Sequence, residues 1–142
     1  METTTMQLRR WTPLIMARPH RYVSEDAFWN GFDLFEWAET GYEWTQDPWN
    51  GLRDFARRPQ RTVSEGRGDC EDFALVAASW AVAQGRREVG LGFCFSWPRP
   101  WPVHAIAYDD ERIYSSGYIS EVSVDEWLTN SKYDYCLRRP LS

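Results

Sequence analysis

The residues whose types and spacing could do chemistry are one cysteine in an acidic, glycine-flanked stretch, Gly66-Arg67-Gly68-Asp69-Cys70-Glu71-Asp72, and a histidine well downstream, His104. Apolar residues at Cys70, Phe73, Ala74, Ala77, Trp80 and Ala81 follow helical spacing, Asp69 suits an N-cap, and Gly85 suits a stop. Cys70 then falls at the first helical position. Unpaired backbone N–H groups and the helix dipole favour a thiolate there, which predicts a pKa below the ~8.5 of a free cysteine. His104 opens an apolar, strand-like run, so a nucleophile at a helix start would face a general base on a strand. A cysteine on an apolar helix face is ordinarily core. The polar helix start and the downstream histidine argue for the reactive alternative. Cys94 and Cys136 sit within apolar strands and read as core, and His20, between Pro19 and Arg21, reads as a surface residue.

The elements that must position this pair can be read in chain order. Residues 1–23 contain Pro13 and Pro19 among scattered apolar residues and read as an extended N-terminal arm, open to a protein partner. Ser24-Glu25-Asp26 opens a helical pattern with Phe28, Phe32 and Phe35 on one stripe and Trp29 and Trp37 beside it, ended by Gly41. Asp47-Pro48 signals a second helix with Trp49, Leu52 and Phe55 inward, stopped by Pro59 and followed by a polar connector to Gly66. After Gly85 the pattern turns to strands. Val89 to Phe95, Val103 to Tyr108, Arg112 to Ser116 and Tyr133 to Leu137 are expected strands, with a proline-tryptophan loop over residues 96–102 and a capped helical turn at Ser123 to Leu128. Helices followed by strands give an α+β class, the helix of Cys70 packed on a small antiparallel sheet, in one domain over residues 24–142.

Gly68-Asp69-Cys70-Glu71-Asp72-Phe73-Ala74, followed by a strand that opens His104-Ala105, resembles the bacterial transglutaminase-like cysteine proteinases, within the wider transglutaminase-like and papain-related superfamily. The resemblance covers roughly residues 24 to 137, and its specific part is the seven residues around Cys70. It implies a papain- or transglutaminase-like fold, Cys70 as nucleophile and His104 as base, acting through a thioester on a peptide or isopeptide bond. The family's third member is an Asp or Asn on the strand after the histidine's. Here the hairpin arithmetic puts Ser115, Ser116 or Gly117 opposite His104, depending on the turn, and no register supplies a carboxylate. A serine can accept from the imidazole N–H but stabilises an imidazolium less than a carboxylate does. The oxyanion hole is expected from the Cys70 N–H and a donor in the Trp44-to-Trp49 segment, and Trp97, Trp101 and Trp49 are candidate substrate walls.

Composition narrows the class. A chain of 142 residues supports one domain with a real core, and nine Trp argue for large, rigid packing units. A net charge of −5 gives no footprint for nucleic acid, and no uninterrupted apolar run predicts a secretory signal or a membrane span. Three cysteines, an odd number, suit a reducing compartment, and only two histidines with no CxxC pair predict neither a metal nor a cofactor. The expected setting is cytoplasmic, or a larger particle that carries the chain. Two functions follow: a cysteine peptidase or amidohydrolase acting on a peptide or protein substrate, with water or an amine as second nucleophile, or a weakened or inactive module of the same fold serving a larger assembly such as a virus particle.

Overall fold

Pro13 and Pro19 do not produce an arm over the part of the N-terminus that is described. The computed structural model describes residues 12–45 and 59–141. Thr12–Ala17 form a helix, α1, and Pro19–Arg21 a single 3-10 turn. Ile15 and Pro19 are buried, so this stretch packs on the domain where the sequence predicted an extended lead-in.

The continuous helix expected from Ser24 to Gly41 is broken. A 3-10 segment, Ala27–Gly31, starts at Asp26, whose side chain accepts from the Phe28 N–H at 3.0 Å. Asp33 then caps a second start, α2 (Leu34–Glu36), which widens into a π turn over Trp37–Gly41. Asp side chains that bind nearby N–H groups compete with an uninterrupted helical ladder, and here each begins its own short element. The break changes which face is inside. Trp29, Leu34 and Trp37 are buried, whereas Phe28 and Phe35, placed in the core by helical spacing, are 42% and 44% exposed.

Glu43–Trp44 form a short strand, β1. The helix expected after Asp47-Pro48, with Trp49, lies outside the described residues. Helix α3 is described over Pro59–Glu65, with Pro59 and Thr62 buried, a placement that a proline's fixed φ and missing N–H suit in a first turn. Gly66 then reverses the chain at φ +72°, so close to Gly41 that a Cβ would stand 2.7 Å from its carbonyl oxygen. Arg67–Gly68, β2, pairs in parallel with β1.

The predicted central helix is present as α4, Cys70–Ala83, and it is buried at every position from Cys70 to Ala81. A helix apolar all round needs cover on all sides. Here the sheet covers one side, and α3 and the Ala27–Gly31 segment cover others. The sheet comprises β3 (Gly90–Phe95), β4 (His104–Tyr108), β5 (Ile113–Ser115), β6 (Tyr118–Ser120) and, after helix α5 (Val124–Thr129), β7 (Tyr135–Pro140). Its order is β6-β5-β4-β3-β7, antiparallel throughout. The molecule is α+β. Strand β6 was not foreseen, and it follows from a two-residue turn in which Ser116 (φ 44°) and Gly117 (φ 91°) both take positive φ.

Strand alternation divides the core. Leu91, Phe93, Ala105, Ala107 and Tyr114 join α4, while Cys94, Ile106, Tyr108, Ile113 and Cys136 form a second cluster with Val124 of α5. Asp109 fixes the turn between β4 and β5. Its carboxylate accepts from the N–H groups of Glu111 and Arg112, each at 2.8 Å, from the Tyr114 hydroxyl at 2.6 Å and from Arg86 Nε at 3.0 Å. Burial works against this carboxylate, yet the Arg86, Tyr114 and backbone bonds outweigh it and hold its pKa below the usual value. The register that results is Tyr108 opposite Ile113 and Ala107 opposite Tyr114. Asp109→Ala leaves the buried Tyr114 hydroxyl without its acceptor and lowers stability by about 2–4 kcal/mol, measured by urea unfolding. Because the folded pKa is depressed, this contribution is complete above about pH 4 and fades as pH falls below it, so the gap between wild type and Asp109→Asn narrows in acid.

Candidate functional site

Helix α4 starts under a reciprocal capping box. The Asp69 side chain accepts from the Asp72 N–H at 3.0 Å, and the Asp72 side chain accepts from the Asp69 N–H at 3.1 Å. Gly68 is required beside it, since a Cβ there would lie 2.7 Å from Asp72 Cβ. The box places Cys70 at the first helical position, as the sequence predicted. Parallel pairing of β1 with β2 brings Trp44 opposite Gly68, with the Thr45 N–H donating to the Gly68 carbonyl at 2.9 Å. Tyr42 donates its hydroxyl to the same carbonyl, also at 2.9 Å.

The Cys70 thiol is not the activated group that the helix start predicted. The residue is 2% exposed and belongs to the core cluster of α4. Burial pushes its pKa well above the ordinary thiol value, and the nearby carboxylate of Asp69, then those of Glu71 and Asp72, push in the same direction. Opposing them is the Ala105 N–H, directed at the sulfur. The correction has a plain cause. The helix dipole favours a thiolate by at most ~2 kcal/mol, whereas removing the charge from water and setting it beside carboxylates disfavours it more strongly. The dipole's benefit goes first to the Asp69 carboxylate, which holds the Asp72 N–H itself.

The contact with Ala105 places Cys70 against the peptide that joins His104 to Ala105, but the expected facing of thiol and imidazole is not present. Ala105 shares the α4 face with Cys70, and alternation sends the His104 side chain to the opposite face, with Ile106 and Tyr133. His104 is 2% exposed, and its Nε2 lies 2.8 Å from Ser115 Oγ. The ring stacks on Tyr133, centroids 5.3 Å apart and nearly parallel at 7°, with Trp127 at 6.3 Å. The expected serine is thus Ser115, reached by a different route from a directly opposite pair. Continuing the observed register puts Gly117 across from His104, and the imidazole reaches diagonally to Ser115. Ser116 is not the partner. It occupies a left-handed position of the β5–β6 turn, and its buried hydroxyl has no hydrogen-bond partner among the described residues.

A cavity of about 980 Å³ opens beside these residues, lined by Tyr42, Trp44, Ser116 and Gly117 and bordered by acidic side chains of the α2 region, Glu36 and Glu39 among them. Trp97 and Trp101, expected as substrate walls, are not in its lining; they are 85% and 38% exposed. Trp49 lies outside the described residues. The Trp44 indole N–H is buried without a hydrogen-bond partner among the described residues, in the segment where a second oxyanion donor was sought. The stacking of Tyr133 and Trp127 on His104 was not anticipated. Their trace in the sequence is the apolar face of α5 and the residues just before β7, which say nothing about what they cover.

Among the described residues no group of three or more His, Cys, Asp or Glu could hold a metal ion, and no helix is long and apolar enough to cross a membrane. Comparison with protein-family models, with curated proteins and with solved structures returned no match.

The raised thiol pKa has a measurable consequence. Cys70 contributes stability that is complete below the unfolded thiol pKa, about 8.5, and is lost as pH climbs toward the folded value. Between about pH 7.5 and about pH 10, urea midpoints should therefore fall more steeply for wild type than for Cys70→Ala. Parallel slopes would mean that the thiol is not held protonated.

Proposed function

We propose that the chain is a cysteine hydrolase of the transglutaminase-like class, acting on a peptide or isopeptide bond through a thioester on Cys70. The observation that carries this reading is the bond from His104 Nε2 to Ser115 Oγ, on the hairpin whose backbone meets the Cys70 sulfur. Nε2 is committed to Ser115, and alternation along β4 turns the ring toward Tyr133 and Trp127, on the face opposite Cys70. Nδ1 would therefore take the thiol proton as Cys70 attacks the carbonyl carbon only after the start of β4 rearranges. The resulting imidazolium returns that proton to the leaving amine, and water then hydrolyses the thioester. The developing oxyanion would take the Cys70 N–H, which as a first-turn group has no acceptor within the helix, together with the Trp44 indole. Ser115 positions the ring, and Tyr133 and Trp127 hold its plane.

A neutral serine at this place predicts a slow catalyst. Ser115→Asp supplies the missing charge to the imidazolium and should raise the rate of Cys70 acylation by an activated acyl ester at least ~10-fold, while His104→Ala should lower it by ~100-fold or more. Acylation is followed by mass at Cys70, with near-ultraviolet circular dichroism as the check that each variant is folded. Equal acylation of Cys70, Cys94 and Cys136, unaffected by either substitution, would remove the hydrolase reading.

A second reading has an observation of its own. A thiol that is 2% exposed and pushed toward its protonated form is what a module would keep after its chemistry had decayed, the fold then serving as a part of a larger assembly such as a virus particle. On that reading Cys70→Ala folds normally and no acyl adduct forms at position 70 on the wild-type chain.

A further inference from the structure

The other two cysteines face each other across the sheet. Cys94 on β3 is the direct register partner of Cys136 on β7, and their sulfur atoms lie 2.6 Å apart, both as free thiols. Two independent features show which kind of pair this is. Pro140 has no N–H to exchange, so its pair with Gly90 is a non-hydrogen-bonded one, and alternation puts Cys94 and Cys136, four positions along, in the same class. The carbonyls agree: that of Cys94 accepts from Val103 on the β4 side at 2.8 Å, and the next, that of Phe95, accepts from Asp134 on the β7 side at 2.9 Å. Non-hydrogen-bonded partners bring their Cα atoms to about 4.5 Å, within the ~4.4–6.8 Å that a disulfide spans.

We propose that Cys94 and Cys136 form a reversible cross-strand disulfide, closed by a hydroperoxide and opened by a small thiol, which staples strand β7 to the sheet. Cys136 begins the step because β7 is the outer strand of the order and Cys136 is the more exposed of the two, 6% against 0%. The Cys94 thiol bonded to it and Arg138 nearby favour charge on Cys136, against its burial. The Cys136 thiolate attacks a peroxide oxygen and becomes a sulfenic acid, releasing hydroxide or alkoxide. The Cys94 sulfur then displaces hydroxide from the Cys136 sulfur, and its proton leaves with that hydroxide as water. Overall two thiols and one hydroperoxide give one disulfide, one water and the corresponding alcohol, or a second water for hydrogen peroxide.

The bridge encloses His104, Ser115, Trp127 and Tyr133, whereas Cys70 lies outside it. Oxidation therefore constrains the histidine side of the candidate site without consuming Cys70, and the inference stands whether or not Cys70 is catalytic.

The full chain, reduced and then treated with equimolar hydrogen peroxide, should lose about 2 Da and keep a single maleimide-reactive thiol under denaturing conditions. A non-reducing peptide map should join the peptides of residues 94 and 136, dithiothreitol should restore all three thiols, and the oxidised form should melt at least ~5 °C higher. The same link should form in Cys70→Ser. A disulfide involving Cys70, a sulfinic acid at Cys136, or three thiols left after treatment would overturn the proposal.

Discussion

A helix that begins inside a protein must find acceptors for N–H groups that have none within the helix. In α4 that demand is met by Asp69 and Asp72, and much of the structure follows from it. The reciprocal box requires Gly68, because any side chain there would collide with Asp72. Gly68 in turn leaves its backbone open to Tyr42, Trp44 and Thr45, which gather on it from β1 and the residues either side. With the start secured, a helix apolar on every face can run through the middle of the molecule from Cys70 to Ala81. The same carboxylates set the character of the thiol. Two charges close to a buried sulfur oppose a third, so the device that permits Cys70 its position also keeps its proton on.

Any chemistry at Cys70 must lift that constraint. On the proposed hydrolase reading, a substrate carbonyl that displaces the side chains over the sulfur would supply the electrophile, and His104, whose ring lies on the other face of β4, would have to be brought round to take the proton. No free thiolate need exist beforehand. This ordering differs from enzymes that store an ion pair between cysteine and histidine, and it fits a histidine oriented by a neutral hydroxyl better than by an anion. It also locates selectivity in the opening step. The open cavity is lined by Trp44, the register partner of Gly68, and by Ser116, next to Ser115, while Cys70 and His104 are not in its lining.

How much of this was legible in the sequence depended on whether a local rule met competition. Asp69, Gly85 and Ser123 were read correctly because a cap or a stop is decided by a few neighbouring atoms. The stripe of Phe28, Phe32 and Phe35 misled because two aspartates, Asp26 and Asp33, each began a separate turn, and the buried aromatics became Trp29 and Trp37. Pro59 carries two legitimate meanings, stop and start; it lies in α3, and the helix that it was expected to stop is outside the described residues. Ser115 was among the residues found, yet through the wrong pairing. Asp109 sets a register that puts Gly117 opposite His104, and the serine is met on the diagonal. The facing of Cys94 and Cys136 was out of reach, since the two residues, on strands that are neighbours in the sheet, are 42 residues apart in the chain and nothing local sets their register.

The thiol pKa failed for a different reason, because its sign follows from a balance between terms that the sequence supplies separately. A helix start lowers the pKa and burial beside carboxylates raises it, and all three features can be read from Asp69-Cys70-Glu71-Asp72 and the apolar run after it. Their magnitudes decide the outcome. A dipole acting through solvent-exposed N–H groups is worth a few tenths of a kcal/mol to ~1, and more in a partly buried setting, but here the Asp69 carboxylate already holds the Asp72 N–H. Desolvation of a fully enclosed charge can shift a pKa by ~3–5 units, equal to ~4–7 kcal/mol. A cysteine at a helix start is therefore an activated nucleophile when the cap is neutral and the sulfur is wet. With an aspartate cap and a dry interior, as here, reactivity must come from what binds over it.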